Sequence, residues 1–250
     1  MAALEPGKVL RGKYELQRVL GSGGMGIVVR AWHKILERPV AIKLLQPEML
    51  AHPEIVERFI REGRAASRID SDHVARVLDV DTTDEGVPFM VMEYLEGKDL
   101  SFVRETSRPL APGRAVDYIL QALDALGQAH AQGVVHRDLK PANMFLAQRS
   151  DGSTRIKLLD FGISKISTPG QSDAGVTKTS VVMGSAEYMS PEQMVSARDV
   201  DVRTDIWAVG VTLYELLTAS VPFPGETITA VCALVMTKAP PARSYVRFDI

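Results

Sequence analysis

The chain has 250 residues, of which 46% are hydrophobic and 24% charged, as is usual for a globular protein with one large domain or two lobes. Its formal net charge of −2 offers no general attraction to nucleic acid or to an anionic membrane, so we expect neither as a partner. The single cysteine, Cys232, excludes an internal disulfide and fits a reducing cytoplasm. No apolar run reaches the roughly 18 residues of a membrane span.

The first third of the chain is predicted to form a small antiparallel sheet. Its strands are indicated by alternating polarity or by β-branched runs at residues 14–17, 27–31, 39–45, 74–80 and 88–94. From about residue 100 the hydrophobic spacing becomes helical. We therefore predict an α+β chain with a short N-terminal extension, a β-rich lobe and an α-rich lobe, at residues 1–13, 14–95 and 96–250.

Three helices are predicted from this spacing. The first begins near Pro53, and its buried positions are expected to be Ile55, Val56, Phe59, Ile60, Ala66 and Ile69. The second begins at Pro112 and is ended by Gly133, and its apolar residues keep helical spacing at Val116, Ile119, Leu120, Leu123 and Leu126. The third, at 206–217, is apolar nearly all round, which predicts a core position.

The most informative local pattern is Gly-Ser-Gly-Gly-Met-Gly at residues 21–26, which matches G-x-G-x-x-G. In a dinucleotide-binding fold the third glycine opens a helix, and an acidic residue follows about 20 positions later. Here Ile27, Val28 and Val29 favour a strand instead, and no Gly-Lys-Ser/Thr completes a nucleoside-triphosphate loop of the Walker type. A plain flexible turn remains possible, but a glycine loop joining two antiparallel strands over phosphates is favoured by the motifs that follow.

Four further motifs come in a fixed order: Val40–Lys43 (Val-Ala-Ile-Lys), His136–Asn143 (His-Arg-Asp-Leu-Lys-Pro-Ala-Asn), Asp160–Gly162 (Asp-Phe-Gly) and Ser190–Glu192 (Ser-Pro-Glu). With the glycine loop, they make the chain resemble the protein kinase family from Tyr14 to its end. The resemblance implies a two-lobed protein kinase fold, with a small β-rich N-lobe and a larger α-rich C-lobe. It also implies transfer of the ATP γ-phosphate to protein hydroxyls with Mg²⁺.

The resemblance assigns roles on the nucleotide side. Lys43 would pair with the α- and β-phosphates, and Glu62 would hold that lysine in place, with Glu54 and Glu57 as rival partners. The base would lie between Val28 and Ala41 on one side and Phe145 on the other, unless these residues serve only ordinary core packing. The full set expected to contact ATP is Leu20, Gly21, Ser22, Gly23, Gly24, Met25, Gly26, Val28, Ala41, Lys43, Met92 as gatekeeper, Glu93 and Leu95 in the hinge, and Phe145.

The resemblance also assigns the catalytic side. Asp138 would accept the proton of the substrate hydroxyl, and Lys140 would reach the γ-phosphate, a feature of the serine/threonine-specific members. Asn143 and Asp160 would supply hard oxygen ligands for Mg²⁺. His136 is expected to be structural, packing near the phenylalanine of the Asp-Phe-Gly motif, and to have no acid–base role.

Regulation is expected in the polar stretch between Asp160 and Glu192. Thr177 and Thr179 form a Thr-x-Thr similar to that of bacterial receptor-like serine/threonine kinases, and we predict that both are autophosphorylated. Arg137 would offer a positive partner for a phosphate there. The alternative is that this stretch is only a disordered loop.

Three departures from the family pattern stand out. Ser185 replaces a commoner threonine and Ser190 a commoner alanine, both of which look harmless. The chain also stops at Ile250, before further helices and an arginine that pairs with Glu192 in the family; Arg243 and Arg247 come too early to replace it. From this we expect marginal stability, possible self-association and, as an alternative function, a pseudokinase or nucleotide-binding scaffold.

Overall fold

The computed structural model describes residues 5–23, 26–161, 184–196 and 200–242. The backbone packs into two compact units, one comprising Met1–Asp70 with Ala75–Glu96 and the other Ser71–Val74 with Gly97–Ile250. In the part of the chain that the structure describes, every helix is too short or too polar to cross a membrane. The architecture is the α+β arrangement that the sequence predicts, with a β-rich first unit and a mainly helical second unit.

The first unit is built on a six-stranded antiparallel sheet with the strand order β1-β2-β3-β4-β6-β5. Its strands are β1 (Val9–Leu10), β2 (Tyr14–Ser22), β3 (Gly26–His33), β4 (Arg38–Leu45), β5 (Val77–Thr82) and β6 (Pro88–Glu93). β3 contains Ile27, Val28 and Val29, and β4 contains Val40 and Ile42, residue types that suit a pleated sheet. The strand predicted at 74–80 begins and ends later than the apolar run suggests, because Val74 makes an isolated bridge to Leu158 instead.

One helix completes the first unit. A 3₁₀ turn (Pro47–Ala51) leads into α1 (Pro53–Ala66), whose first residue is the proline that the sequence marked. Ile55, Phe59 and Ala66 are buried as predicted, while Val56 and Ile60 are only partly covered. The buried stripe packs on β5 and β6, so α1 is attached to one edge of the sheet.

The second unit is mainly helical. A three-stranded sheet, in the order β7-β8-β9, is formed by β7 (Gly97–Asp99), β8 (Met144–Gln148) and β9 (Thr154–Leu158). The helices are α2 (Phe102–Glu105), α3 (Pro112–Ala131), α4 (Pro191–Val195), α5 (Arg203–Thr218) and α6 (Ile228–Thr237). Because α3 packs on both α5 and β9, these three elements frame the loop of residues 136–143 that precedes β8.

In two helices of the second unit, some of the apolar residues are exposed. On α3, Val116 is 44% and Leu120 is 59% exposed, because the face turned to α5 and β9 carries small alanines together with Tyr118, Ile119 and Leu126. Helix α5 has the core position predicted for it, with Val209, Val211 and Leu216 buried, although Ile206 is 51% exposed. A hydrophobic count identifies helices, but the neighbouring elements select which face is buried.

Candidate functional site

The glycine loop joins two antiparallel strands, as the sequence predicts. Gly21 and Ser22 end β2 and pair with residues of β3, which begins at Gly26; Gly24 and Met25 lie outside the described residues. At Gly26 an added Cβ would lie 2.5 Å from the carbonyl oxygen of Leu44, so no other residue fits without moving β4. Bare backbone is therefore needed here for close strand contact.

Two hydrogen bonds fix the ends of the glycine loop, and one of them comes from the residue that follows β4. The amide of Gly23 donates to the carbonyl oxygen of Gly26 at 2.9 Å, and Gln46 Nε2 donates to the carbonyl oxygen of Gly23 at 2.7 Å. Gln46 was not among the predicted site residues, because a single glutamine after a strand carries no recognisable sequence signal. Leu20, at the end of β2, is 38% exposed.

Lys43 lies on one face of the sheet together with the residues predicted to surround adenine. It pairs with Val28 on β3 and with Met90 on β6, while Ala41 pairs with Met92. Directly opposed residues, and residues two apart on a strand, point to the same face. The face therefore carries all five side chains, and Lys43 is only 7% exposed although charged.

Helix α1 covers the same face next to Lys43. An added Cβ at Gly63 would come within 2.7 Å of Met90 Cε and 2.9 Å of Val80 Cγ2, so the helix touches the sheet at Gly63. Glu62 is the preceding residue and is partly buried. Since Met90 is the cross-strand partner of Lys43, the structure brings Glu62 to the part of the sheet where the lysine lies. Glu54 and Glu57 are exposed in earlier turns of the same helix.

The predicted hinge residues Glu93 and Leu95 lie at the end of β6 and just after it. The amide of Glu93 donates to the carbonyl oxygen of Arg76 at 3.0 Å, and its side chain accepts the Arg76 amide at 2.9 Å. A hinge hydrogen bond from Glu93 to a base would therefore use its carbonyl oxygen. Leu95 is partly buried at the end of the first unit, whereas Phe145 belongs to the second unit, on β8.

The loop of residues 136–143, which contains the predicted catalytic residues, is held in place by a buried carboxylate. Asp205, on α5, is fully buried and accepts hydrogen bonds from the amides of His136 and Arg137, both at 2.8 Å, and it contacts His130 Nε2 at 2.7 Å. Arg137 has a φ of 65°, a left-handed conformation that non-glycine residues rarely adopt. Such strain persists only where surrounding contacts enforce it, and Asp205 supplies one of them.

Two other predicted catalytic residues, Lys140 and Asn143, contact Asp138. Lys140 Nζ lies 2.9 Å from Asp138 Oδ2 and 2.7 Å from Ser185 Oγ. Asn143 Nδ2 donates to the Asp138 carbonyl oxygen at 2.7 Å and lies 3.3 Å from Oδ2. Ser185 retains the hydroxyl that the sequence led us to expect at this position, and it connects residues 184–190 to the loop.

Asn143 and Asp160 are connected through Leu159. The Leu159 amide donates to the Asn143 carbonyl oxygen, and the Leu159 carbonyl oxygen lies 2.9 Å from His136 Nε2. Asp160, the next residue, has a φ of 58°. The rings of His136 and Phe161 are 4.7 Å apart, which agrees with the structural role predicted for this histidine. Both ring nitrogens of His136, which acid–base catalysis would need, face protein groups: Nε2 faces the Leu159 carbonyl oxygen and Nδ1 faces the Asp138 amide.

The donor set fits Mg²⁺ with a nucleotide. Because Asn143 Nδ2 is directed at a protein carbonyl, its Oδ1 is the side-chain atom left to act as a ligand, and Asp160 would add a carboxylate oxygen. Amide and carboxylate oxygens suit this hard cation, which commonly takes its other ligands from phosphates and water. Two protein ligands are thus consistent with a metal that arrives with ATP.

Beside the catalytic loop, residues 187–188 are anchored in a charged, buried cluster. Arg104 forms a two-point ion pair with Glu187, which raises the pKa of the guanidinium, and Tyr188 donates to Glu215. Burial raises the pKa of Tyr188 and also that of Glu215 above their ordinary values. The main cause in both cases is desolvation, which disfavours the charged form of a buried group.

Some predicted residues lie in parts of the chain that the structure does not describe, and one is placed differently from the prediction. Thr177 and Thr179, together with Arg243 and Arg247, lie outside the described residues. Glu192, expected to belong to a buried ion pair, is exposed on α4. Asp205 was missed as a site residue, because nothing near it in the sequence marks its contact with a loop 68 residues away.

Comparison with known proteins agrees with this geometry. Residues 14–244 match the family model described as protein kinase domain. The chain is 39% identical to the serine/threonine-protein kinase pkn3 of Myxococcus xanthus, over 94% of this chain and 43% of the relative. It is 38% identical to the serine/threonine-protein kinase PknB of Mycolicibacterium smegmatis, over 89% of this chain and 35% of the relative. The chain thus spans less than half the length of these curated relatives.

A solved structure is similar along nearly the whole chain. The kinase domain of PknI from Mycobacterium tuberculosis matches with a TM-score of 0.73 and 29% identity, covering 99% of this chain and 87% of that one. The likeness therefore extends across both units described above.

Proposed function

The chain belongs to the protein kinase family, in its bacterial serine/threonine branch, and from that premise we propose that it transfers the γ-phosphate of ATP to serine and threonine hydroxyls of proteins. The observation that carries this proposal is the group of Asp138, Lys140 and Asn143, in which Lys140 Nζ and Asn143 Nδ2 each lie within hydrogen-bonding distance of Asp138 Oδ2. Phosphoryl transfer depends on positioning and charge neutralisation more than on covalent chemistry, and this group offers both.

Asp138 is the proposed base. Its Oδ2 accepts from Lys140 Nζ, so the carboxylate is held in one orientation while its charge is partly balanced. An incoming hydroxyl would donate its proton to this carboxylate as its oxygen attacks the γ-phosphorus in line, while the bond from the γ-phosphorus to the β-γ bridging oxygen breaks and ADP leaves. Lys140, which also donates to Ser185, would place positive charge near the transferred phosphoryl group.

The nucleotide side rests on the face of the sheet around Lys43. We propose that Lys43 binds the α- and β-phosphates and that Glu62 orients it from α1. Bound ATP with Mg²⁺ would supply the phosphoryl group and neutralise its charge. Asn143 and Asp160 would hold the metal through their side-chain oxygens, and Val28, Ala41 and Phe145 would contact the base.

A radiolabelled ATP assay tests the function, and two variants test its parts. We expect the wild-type chain with ATP, Mg²⁺ and a generic protein substrate to label serine and threonine. Lys43→Met and Asp160→Asn should both lower the rate, but Asp160→Asn should raise the Mg²⁺ requirement more, because it removes a metal ligand rather than a phosphate contact. A wild type that binds nucleotide without transferring phosphate would be a scaffold instead. Equal shifts in the Mg²⁺ requirement of the two variants would contradict their separate roles.

Autophosphorylation is proposed at Thr177 and Thr179. Mass spectrometry after incubation with ATP should find phosphate on this Thr-x-Thr in the wild type, and none when Asp138→Asn is incubated alone. Mixing the inactive variant with catalytic amounts of wild type would show whether one molecule modifies another. An active enzyme whose loop stays unmodified would remove the proposal.

A further inference from the structure

The peptide bond that precedes Asp138 is held from both sides. It joins Arg137, with its φ of 65°, to Asp138. Its carbonyl oxygen accepts a hydrogen bond from Gln193 Nε2 at 2.8 Å, and its amide lies 3.4 Å from His136 Nδ1. The strained turn is thus held by Asp205 at the Arg137 amide and by Gln193 at the Arg137 carbonyl.

The other end of the Gln193 amide belongs to α4. Gln193 Oε1 accepts the backbone amide of Ser190 at 3.1 Å, and Ser190 Oγ accepts the backbone amide of Gln193 at 3.3 Å. This reciprocal pair is a capping box at the start of the helix. If the Gln193 amide were flipped, Oε1 would face the Arg137 carbonyl oxygen and Nε2 would face the Ser190 amide. Two acceptors would then meet at one end and two donors at the other, so only the observed orientation forms both hydrogen bonds.

We infer that Gln193 is a positioning residue for Asp138, linking the start of α4 to the catalytic loop through a single side chain. The inference rests on the proposed function. Its physical basis is that a left-handed, non-glycine turn relaxes when one of its few restraints is removed, and Asp138 is the next residue along the chain. Small misplacement of a catalytic group is enough to slow a transfer reaction.

Gln193→Glu separates the two roles of the side chain. Glutamate has the same shape and is a usual capping-box residue, so the cap on α4 is retained. It loses the donor, however, and places a carboxylate oxygen against the Arg137 carbonyl. We expect kcat to fall by about 10-fold or more, in line with the roughly 100-fold cost of a 1 Å misplacement. KM for ATP and the melting temperature should stay near the wild-type values.

Ser190→Ala is the matched control. It removes the hydroxyl of the cap but leaves the Gln193 amide free to hold Arg137, so it should lower the melting temperature while kcat stays near wild type. Gln193→Met, which has neither donor nor acceptor, should show both effects. An equal loss of kcat in Ser190→Ala and Gln193→Glu would overturn the inference, because helix capping alone would then explain it.

Hydrogen exchange provides a readout that needs no activity. The peptide covering residues 135–140 should exchange faster in Gln193→Glu than in wild type, and at the wild-type rate in Ser190→Ala. Unchanged exchange together with unchanged kcat in Gln193→Glu would refute the inference. A wild type that transfers no phosphate would defeat the proposed function, and the exchange comparison would still decide whether Gln193 holds the loop.

Discussion

Asp138→Asn is expected to reduce turnover by roughly 10²- to 10⁴-fold, the usual contribution of a positioned general base. The amide has the size of the carboxylate but cannot accept the substrate proton. Because it is neutral, it would also lose the ionic attraction to Lys140 Nζ, which lies 2.9 Å from Asp138 Oδ2 in the wild type. ATP affinity should change little, because the residues proposed to bind the nucleotide are mainly those around Lys43 in the other unit. Steady-state phosphorylation of an exogenous peptide, with nucleotide titration in parallel, measures both quantities.

The melting temperature provides the control for Asp138→Asn. Asp138 is only partly buried, so the variant should unfold close to the wild-type temperature, and a lost rate would then reflect chemistry. Near-normal phosphorylation of the peptide would exclude Asp138 as the base. A large loss of ATP affinity would instead mean that the residue acts mainly on the nucleotide.

Asp205→Ala is expected to destabilise the second unit by about 3–5 kcal/mol, the usual cost of breaking a buried charged contact. Two backbone amides and the ring of His130 would lose their common acceptor in a site where Asp205 is fully enclosed. A loss of this size corresponds to a drop in Tm of roughly 10 °C in a chain of this length. Activity should fall as well, because the restraint on the Arg137 turn is removed.

Asp124→Ala on α3 is the matched control for Asp205→Ala. Its carboxylate is exposed and accepts from Gln128, one turn further along the helix, so its removal should leave Tm and activity nearly unchanged. Asp205→Asn keeps one acceptor oxygen and should lie between alanine and wild type in thermal unfolding. If Asp205→Ala melts like Asp124→Ala, the buried carboxylate does not support the loop.

Residues that are close in the chain were predictable. The set His136–Asn143 lies in one loop, and the contacts among Asp138, Lys140 and Asn143 span five positions or fewer. The glycine loop was identified in the same way, because the residues after Gly26 favour a strand rather than a helix. In such segments, local sequence alone determines which side chains can meet.

The amino-acid sequence by itself therefore determined the family and the glycine loop between two strands, and it predicted the set of catalytic side chains. The tertiary structure decided what holds them: Asp205 and Gln193 meet Arg137 from 68 and 56 residues away, through contacts that no local pattern encodes. It also decided that Val116 and Leu120 face outward, since the elements packed on α3 select the alanine-rich side. The left-handed backbone of Arg137 likewise depends on these distant contacts, because an arginine on its own strongly prefers negative φ.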